Sequence, residues 1–278
     1  PSSAASDVYK RQKENGSEAA YAIMTTDTVR KECAYELQLS TGTVKIGAMA
    51  KGSGMIHPNM ATMLVFITTD CAISPAMLQK ALSTDIANTF NMVSVDGDQS
   101  TNDTAILLAN GLSKSKPADH DPEFEAALRT VMTKIARTIA MDGEGASKLI
   151  EVKVSGAETR DDAVSVVKAI TNSPLVKSAI FGSDPNYGRL MMAVGNSGAK
   201  FDHENIRLTI KGGDMEVPIL DSGAPVFQDE RSVEVVRMAM DNKEVSILVD
   251  LGVGDEEVTG WGCDLTYDYV RINAEYAS

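Results

Sequence analysis

The stretch that most constrains the fold is residues 62–69, TMLVFITT. It is apolar, β-branched and short, and it follows a segment rich in Gly, Ser, Pro and Asn, which reads as a loop running into a buried strand. The residues around it alternate in type. Strands are expected over 44–50, over 104–109 as a buried one, and over 149–154. Ser74-Pro75 reads as an N-cap with Pro at the first helical position, opening a helix that continues over 77–90. Asp121-Pro122 opens another over 123–141, with Phe124, Leu128, Val131, Ile135 and Ile139 on one face. A helical stretch over 160–177 breaks at Ser173-Pro174, and 229–240 is helical. Residues 206–210 and 215–220 read as a hairpin around Gly212-Gly213. Residues 244–253 and 256–266 read as a second hairpin, paired across Gly254-Asp255. Helices mixed with hairpins predict an α/β fold with mixed or antiparallel sheets rather than a purely parallel one.

Composition narrows the function. The 278 residues carry 26 Lys and Arg against 39 Asp and Glu, a formal net charge of −13. An acidic chain is poorly suited to a polyanion, whose counterions basic groups must displace, so no nucleic-acid partner is expected. No run approaches ~18 apolar residues, so no membrane span is expected, and residues 1–16 show no apolar signal core. That lead is polar and unpatterned and reads as disordered or non-native. Cys33, Cys71 and Cys263 are odd in number and form no CxxC, which fits a reducing cytoplasm. His57, His120 and His203 are scattered, so no metal cluster is expected.

Three motifs bear on chemistry. Residues 47–54 are Gly-rich but lack the GxxxxGK[ST] of a phosphate-binding loop. Residues 96–103, DGDQSTND, mimic the start of a calcium loop, but the sixth position is not Gly and the twelfth is Leu107. A polar Asx-rich turn is the plainer reading. At the join of the loop 51–61 and the strand stands Thr62. A threonine placed so can attack the carbonyl of Ala61. Cleavage would then give it a free α-amine with a pKa near ~8, able to take its own hydroxyl proton. Ordinary β-propensity also explains a threonine at a strand start.

Six stretches carry a resemblance: AIMTTDT (22–28), AKGSGMIHPNMATML (50–64), DGDQSTNDT (96–104), DGEGASKLI (142–150), FGSDPNYGR (181–189) and CDLTYDYVRINAEYAS (263–278). Through them the chain resembles the ornithine acetyltransferase family, the bifunctional glutamate N-acetyltransferases of arginine biosynthesis, from about Ala22 to its end. The resemblance implies an N-terminal-nucleophile-like helix–sheet–sheet–helix arrangement with a second C-terminal subdomain. It implies cleavage between Ala61 and Thr62, residues 17–61 being the remnant of an α subunit and 62–278 the β subunit, assembled as α2β2 in the cytoplasm. Thr62 would be the nucleophile that carries the acetyl group from N2-acetyl-L-ornithine to L-glutamate.

The substrate contacts implied by the resemblance are Thr25, Lys51, Thr62, Glu144, Asn273 and Ser278. Lys51 offers a cation for the shared α-carboxylate, Thr25 and Asn273 offer donors, Glu144 suits an amine or a proton relay, and Ser278 brings a hydroxyl and the chain-terminal carboxylate. His57 has no implied role and reads as structural, and Arg189 as shaping the site or an interface. No metal or organic cofactor is implied; some family members accept acetyl-CoA as donor, which makes it a candidate co-substrate. The family's upstream Thr-Gly pair, which forms an oxyanion hole, finds no match here, since Thr41-Gly42 lies too near Thr62. The chain therefore reads as N-terminally truncated, and a missing oxyanion donor costs ~10²–10³ in rate. The alternatives are a related self-processed threonine aminopeptidase or amidase, and an inactive fragment lacking the oxyanion hole.

Overall fold

The computed structural model describes residues 15–57, 63–117, 121–227 and 229–275. Helix α1 (Gly16–Ala22) precedes strands β1 (Lys31–Leu39), β2 (Gly42–Lys51) and β3 (Leu64–Thr69). Helix α2 (Pro75–Ile86), a 3-10 turn (Phe90–Met92), β4 (Val93–Ser94), β5 (Thr104–Ala109) and the long helix α3 (Pro122–Met141) follow. The second half runs β6 (Leu149–Ala157), α4 (Arg160–Asn172), α5 (Pro174–Phe181), α6 (Tyr187–Asn196), β7 (Arg207–Gly212), β8 (Met215–Asp221) and β9 (Ala224–Pro225). It ends with α7 (Glu230–Met240), β10 (Glu244–Asp250), β11 (Glu256–Cys263) and α8 (Tyr267–Glu275).

The architecture is α/β with mixed sheets, as expected. One sheet is ordered β1-β2-β3-β5, the other β4-β11-β6-β10-β7-β8-β9. The pairs β3/β5, β6/β10 and β4/β11 are parallel and the rest antiparallel. Helix α3 packs against β1 and β2 of the first sheet and against β4, β6 and β11 of the second. The Asp121 carboxylate caps it by accepting the Glu123 and Phe124 N–H groups, both at 3.1 Å. Its five predicted core residues are all buried, each worth ~1.5–3 kcal/mol of transfer free energy. They belong to one continuous apolar cluster that also takes in Val65 and Ile67 of β3 and Ile150 and Val152 of β6.

Several expectations need correction. Strands β10 and β11 do not form a hairpin: β6 lies between them, parallel to β10 and antiparallel to β11. The connection crosses the end of β6, where the Val253 and Gly254 N–H groups both reach the Gly156 carbonyl at 2.9 Å. Strand β6, which buries Leu149, Ile150, Val152, Val154 and Ala157, takes the central place that a local pairing would have closed. The helix expected over 77–90 stops at Ile86, because the Asn88 and Thr89 side chains bond back to the Thr84 and Asp85 carbonyls at 3.0 and 2.6 Å. Strand β3 buries Val65, Ile67 and Thr69 but leaves Thr68 exposed, so it is covered mainly on one face. The first expected residue of that strand, Thr62, lies outside the described residues. The strand over 104–109, expected to be buried, is β5 at the edge of the first sheet, and none of its residues is fully buried. Strand β1, unread in the sequence, is an edge strand whose charged, outward residues hide its period.

Candidate active site

Strand β2 ends at Lys51, and the chain leaves the sheet through residues 52–57. This loop is held along its whole length. The Gly52 N–H donates to Asp27 Oδ1 at 2.7 Å, and the Ser53 hydroxyl donates to the Asp142 carbonyl at 2.7 Å. The Met55 and Ile56 N–H groups donate to the Asp96 carboxylate at 2.7 and 3.1 Å, and the Ile56 carbonyl accepts the Val95 N–H at 2.7 Å. His57 Nδ1 lies 3.1 Å from Ser94 Oγ and accepts from Asn172 Nδ2 at 3.3 Å. Since the Ser94 hydroxyl donates to Asn172 Oδ1, the network assigns the imidazole proton to Nε2. Burial and nearby Lys168 push the His57 pKa down, which fits its structural reading. Beyond the loop, the Met63 N–H donates to Asp103 Oδ1. Asp96 and Asp103, both in the DGDQSTNDT stretch, therefore hold the residues on either side of 58–62.

Beneath the loop lies a charged cluster that the sequence reading missed. Lys31 is fully buried, and its ammonium bonds Asp27 at 2.6 Å and also Asp142. Asp142 in addition accepts the Thr28 hydroxyl and the Thr28 N–H, the latter at 3.0 Å. Burial works to raise the Asp27 pKa. Hydrogen bonds from the Gly52 N–H, Lys31 and the Thr25 N–H outweigh it, and the carboxyl is held below its ordinary value. One carboxylate thus pins both the segment of Thr25, by a 3.1 Å bond, and the start of the loop.

Gly145 has a φ of +67°, and a side chain there would strike the backbone of Asp268 and Tyr269. This close approach lays residues 142–146 against the start of α8. The Thr266 hydroxyl fastens the same contact by donating to the Gly145 carbonyl at 2.5 Å. Glu144 accordingly meets Asn273, whose Nδ2 donates to Oε2 at 2.9 Å, and the Glu144 N–H donates to the Ser53 carbonyl at 3.0 Å. Gly54 makes room for that carboxylate, since a methyl built there would run into it.

The structure therefore gathers Thr25, Lys51, Glu144 and Asn273 around one loop. Lys51 is half-buried and its charge acts on Asp103, while Thr25 and Asn273 are exposed. Ala61, Thr62 and Ser278 lie outside the described residues. Arg189 does not join the cluster: it bonds the Leu175 carbonyl at 3.1 Å and pairs with Asp184. Thr41 stands at the β1–β2 turn, bonded to the Lys116 backbone, ~30 Å of strand away from Lys51. Among the described residues no group of three or more His, Cys, Asp or Glu could hold a metal ion, and no helix is long and apolar enough to cross a membrane. Both Asp96 oxygens accept backbone N–H groups and Asp103 Oδ1 accepts one, so the calcium-like run is a polar bracket, with an Asx bond from the Asp98 N–H to Asp96. Of the residues missed, Asp27, Asp96, Asp103 and Asp142 stand inside the quoted stretches, where a carboxylate amid Gly, Ser and Asn was the available signal, while Lys31 stands outside them.

Known proteins match this chain closely. It is 50% identical over 267 residues to the arginine biosynthesis bifunctional protein ArgJ of Symbiobacterium thermophilum, covering 95% of this chain and 65% of that protein. It is 49% identical over 261 residues to the glutamate N-acetyltransferase of Methanosarcina mazei, covering 94% and 65%. The chain thus spans about two-thirds of the length of these relatives. A crystal structure of the bifunctional protein ArgJ from Bacillus halodurans superposes with a TM-score of 0.69 at 42% identity, covering 76% of this chain and 98% of that one. The ArgJ family profile matches residues 2–278, a span that takes in the polar lead, and the chain belongs to the ArgJ family.

Proposed function

We propose that this chain carries the chemistry of acetyl transfer from N2-acetyl-L-ornithine to L-glutamate, with Thr62 as the nucleophile. The observation that carries this reading is the convergence of the Thr25 segment, Lys51, Glu144 and Asn273 on the loop leading to residue 62. Membership of a family whose relatives are named glutamate N-acetyltransferases supports it. The solved relative matches a little over three-quarters of this chain with nearly all of its own length, which fits a separate chain starting at residue 62.

In the precursor the Thr62 hydroxyl attacks the Ala61 carbonyl carbon, the peptide becomes an ester, and water releases Thr62 with a free α-amine. That amine, with a pKa near ~8, takes the hydroxyl proton as Oγ attacks the acetyl carbonyl of the donor. The tetrahedral oxyanion collapses, the C–N bond breaks, and the proton leaves with the ornithine amine. Glutamate then attacks the acetyl ester and the same steps run in reverse. Lys51 receives the α-carboxylate common to both substrates. Asn273 holds Glu144 through Oε2, which leaves Oε1 to face a substrate amine. The scheme needs no metal or organic cofactor, and acetyl-CoA fits it as a second acetyl donor. The α and β chains cut from one precursor assemble as α2β2 in the cytoplasm.

The test is product analysis with N-acetylornithine, with and without glutamate. The reading expects N-acetylglutamate to form mole for mole with ornithine. Free acetate in its place, at a rate indifferent to glutamate, would assign the chain to the amidase alternative instead.

A further inference from the structure

Strands β6 and β11 meet at one rung: Leu149, the first residue of β6, pairs with Cys263, the last of β11. The chain enters that rung from Glu144 and leaves it toward Asn273, so the two strand ends decide how those side chains meet. Asp264, which is buried, closes the rung. Its Oδ1 accepts the Ser147 and Lys148 N–H groups at 2.8 and 3.0 Å, and its Oδ2 accepts the Ser147 hydroxyl. Its own N–H donates to the Lys148 carbonyl at 3.2 Å. Two residues on, the Thr266 hydroxyl donates to the Gly145 carbonyl and accepts the Asp268 N–H at 3.1 Å, at the start of α8. The segment so gripped is anchored from its other side as well. The buried Lys148 ammonium donates to the Ile180 and Met240 carbonyls at 3.0 and 2.8 Å and to the Ser183 hydroxyl at 2.8 Å. Residues 145–148 are thus tied at once to the end of β11, to the start of α8 and to the ends of α5 and α7.

We propose that Asp264 and Thr266 are positioning residues for acetyl transfer: by gripping residues 145–148 they aim the Glu144 carboxylate, held at Oε2 by Asn273, at the substrate amine. This rests on the reading of Glu144 as the group that faces that amine. Both residues act through Glu144 rather than by contact with substrate. Their grip decides where Glu144 Oε1 points, and a charge-assisted hydrogen bond weakens steeply once donor and acceptor are misaligned. Asp264→Ala leaves the Ser147 and Lys148 N–H groups without their acceptor and frees the turn to shift. Asp264→Asn keeps an oxygen for both N–H groups and brings an amide that donates to the Ser147 hydroxyl. The geometry then survives without the charge.

The test is a double-mutant cycle, read as kcat/KM for acetyl transfer from N-acetylornithine to glutamate. Asp264→Ala is expected to lose ~10–100-fold in the wild-type background, the cost of a misplacement of about an ångström. In a Glu144→Gln background, where the charge to be aimed is gone, the further loss is expected to stay within ~3-fold. Asp264→Asn, which keeps both N–H bonds, is expected within ~3-fold of wild type. Equal losses in the two backgrounds would overturn the proposal, since a merely structural defect adds to the loss of Glu144. An Asn variant as impaired as Ala would overturn it too. If Asp264→Ala misfolds, Thr266→Val provides the second arm, because it removes only the bonds at Gly145 and Asp268. A loss of ~3–10-fold is expected in wild type, the size of one hydrogen bond, and no further loss in Glu144→Gln; equal losses would again count against the proposal. A wild-type protein that makes no N-acetylglutamate from N-acetylornithine, or a Glu144→Gln variant with unchanged kinetics, would instead overturn the reading beneath.

Discussion

Asn273 Nδ2 and Glu144 Oε2 meet at 2.9 Å although 129 residues separate them in the chain. The contact exists because Gly145 lets the backbone of residues 142–146 touch that of Asp268 and Tyr269. Gly54 completes it by leaving room for the carboxylate. Gly54→Ala puts a methyl in that space, and the half-buried Glu144 side chain must swing away from Asn273. The expected result is a loss of ~10-fold or more in kcat/KM for N-acetylornithine, the size of one charge-assisted hydrogen bond. Differential scanning calorimetry should show little change in Tm. Unchanged kinetics would detach Glu144 from the substrate.

Lys31 neutralises two carboxylates in a site from which it is itself wholly excluded from water. Lys31→Met leaves Asp27 and Asp142 facing each other without a cation. Urea unfolding should show a loss of ~3–5 kcal/mol, as for other broken buried ion clusters. A loss below ~1 kcal/mol would mean that the two aspartates find other partners.

The extent to which this arrangement was legible in sequence depends on the residue. Helix α3 announced itself, since Phe124, Leu128, Val131, Ile135 and Ile139 recur at helical spacing and all five are buried. Glu144 and Asn273 were legible through the family stretches around them, although nothing local to either indicates their contact. Lys31 gave no signal: among the neighbours Arg30 and Glu32 it looks like surface charge, and its burial depends on Asp142, 111 residues away. The β10–β11 connection misled for the same reason. Gly254-Asp255 has the chemistry of a tight turn, and only the placement of β6 decides that the strands do not pair.

Asp103 also has a stability signature. Its folded-state pKa of about 6 lies above the ~3.9 of an unfolded aspartate. Between those values the folded state binds more protons, so stability falls as pH rises from ~4 to ~6. In an uncleaved Thr62→Ala protein, where no α-ammonium is released, Asp103→Asn removes that penalty. The Tm of the double variant should exceed that of Thr62→Ala by a margin that opens between pH 4 and 7 and then levels off. A margin constant with pH would show that Asp103 titrates normally.

Asp96 anchors the loop ahead of residues 58–62 through two backbone N–H groups, and Tyr269 reaches the same carboxylate at 3.4 Å. Asp96→Ala frees Met55 and Ile56 and, under the proposed cleavage at Ala61-Thr62, removes the anchor of the chain ahead of that bond. Self-processing should slow ~10–100-fold, the range expected of a misplacement of about an ångström. Precursor accumulation on a denaturing gel would show it. Processing at the wild-type rate would mean that the loop is set by Asp27 and Ser53 alone.

The central claim is that Thr62 is released by cleavage and then carries the acetyl group. Intact-protein mass spectrometry before and after addition of N-acetylornithine tests both halves at once. The account predicts two fragments divided between Ala61 and Thr62, with one acetyl added to the fragment that begins at Thr62. A protein that transfers acetyl to glutamate while remaining a single uncleaved chain, or with the acetyl on another residue, would contradict it.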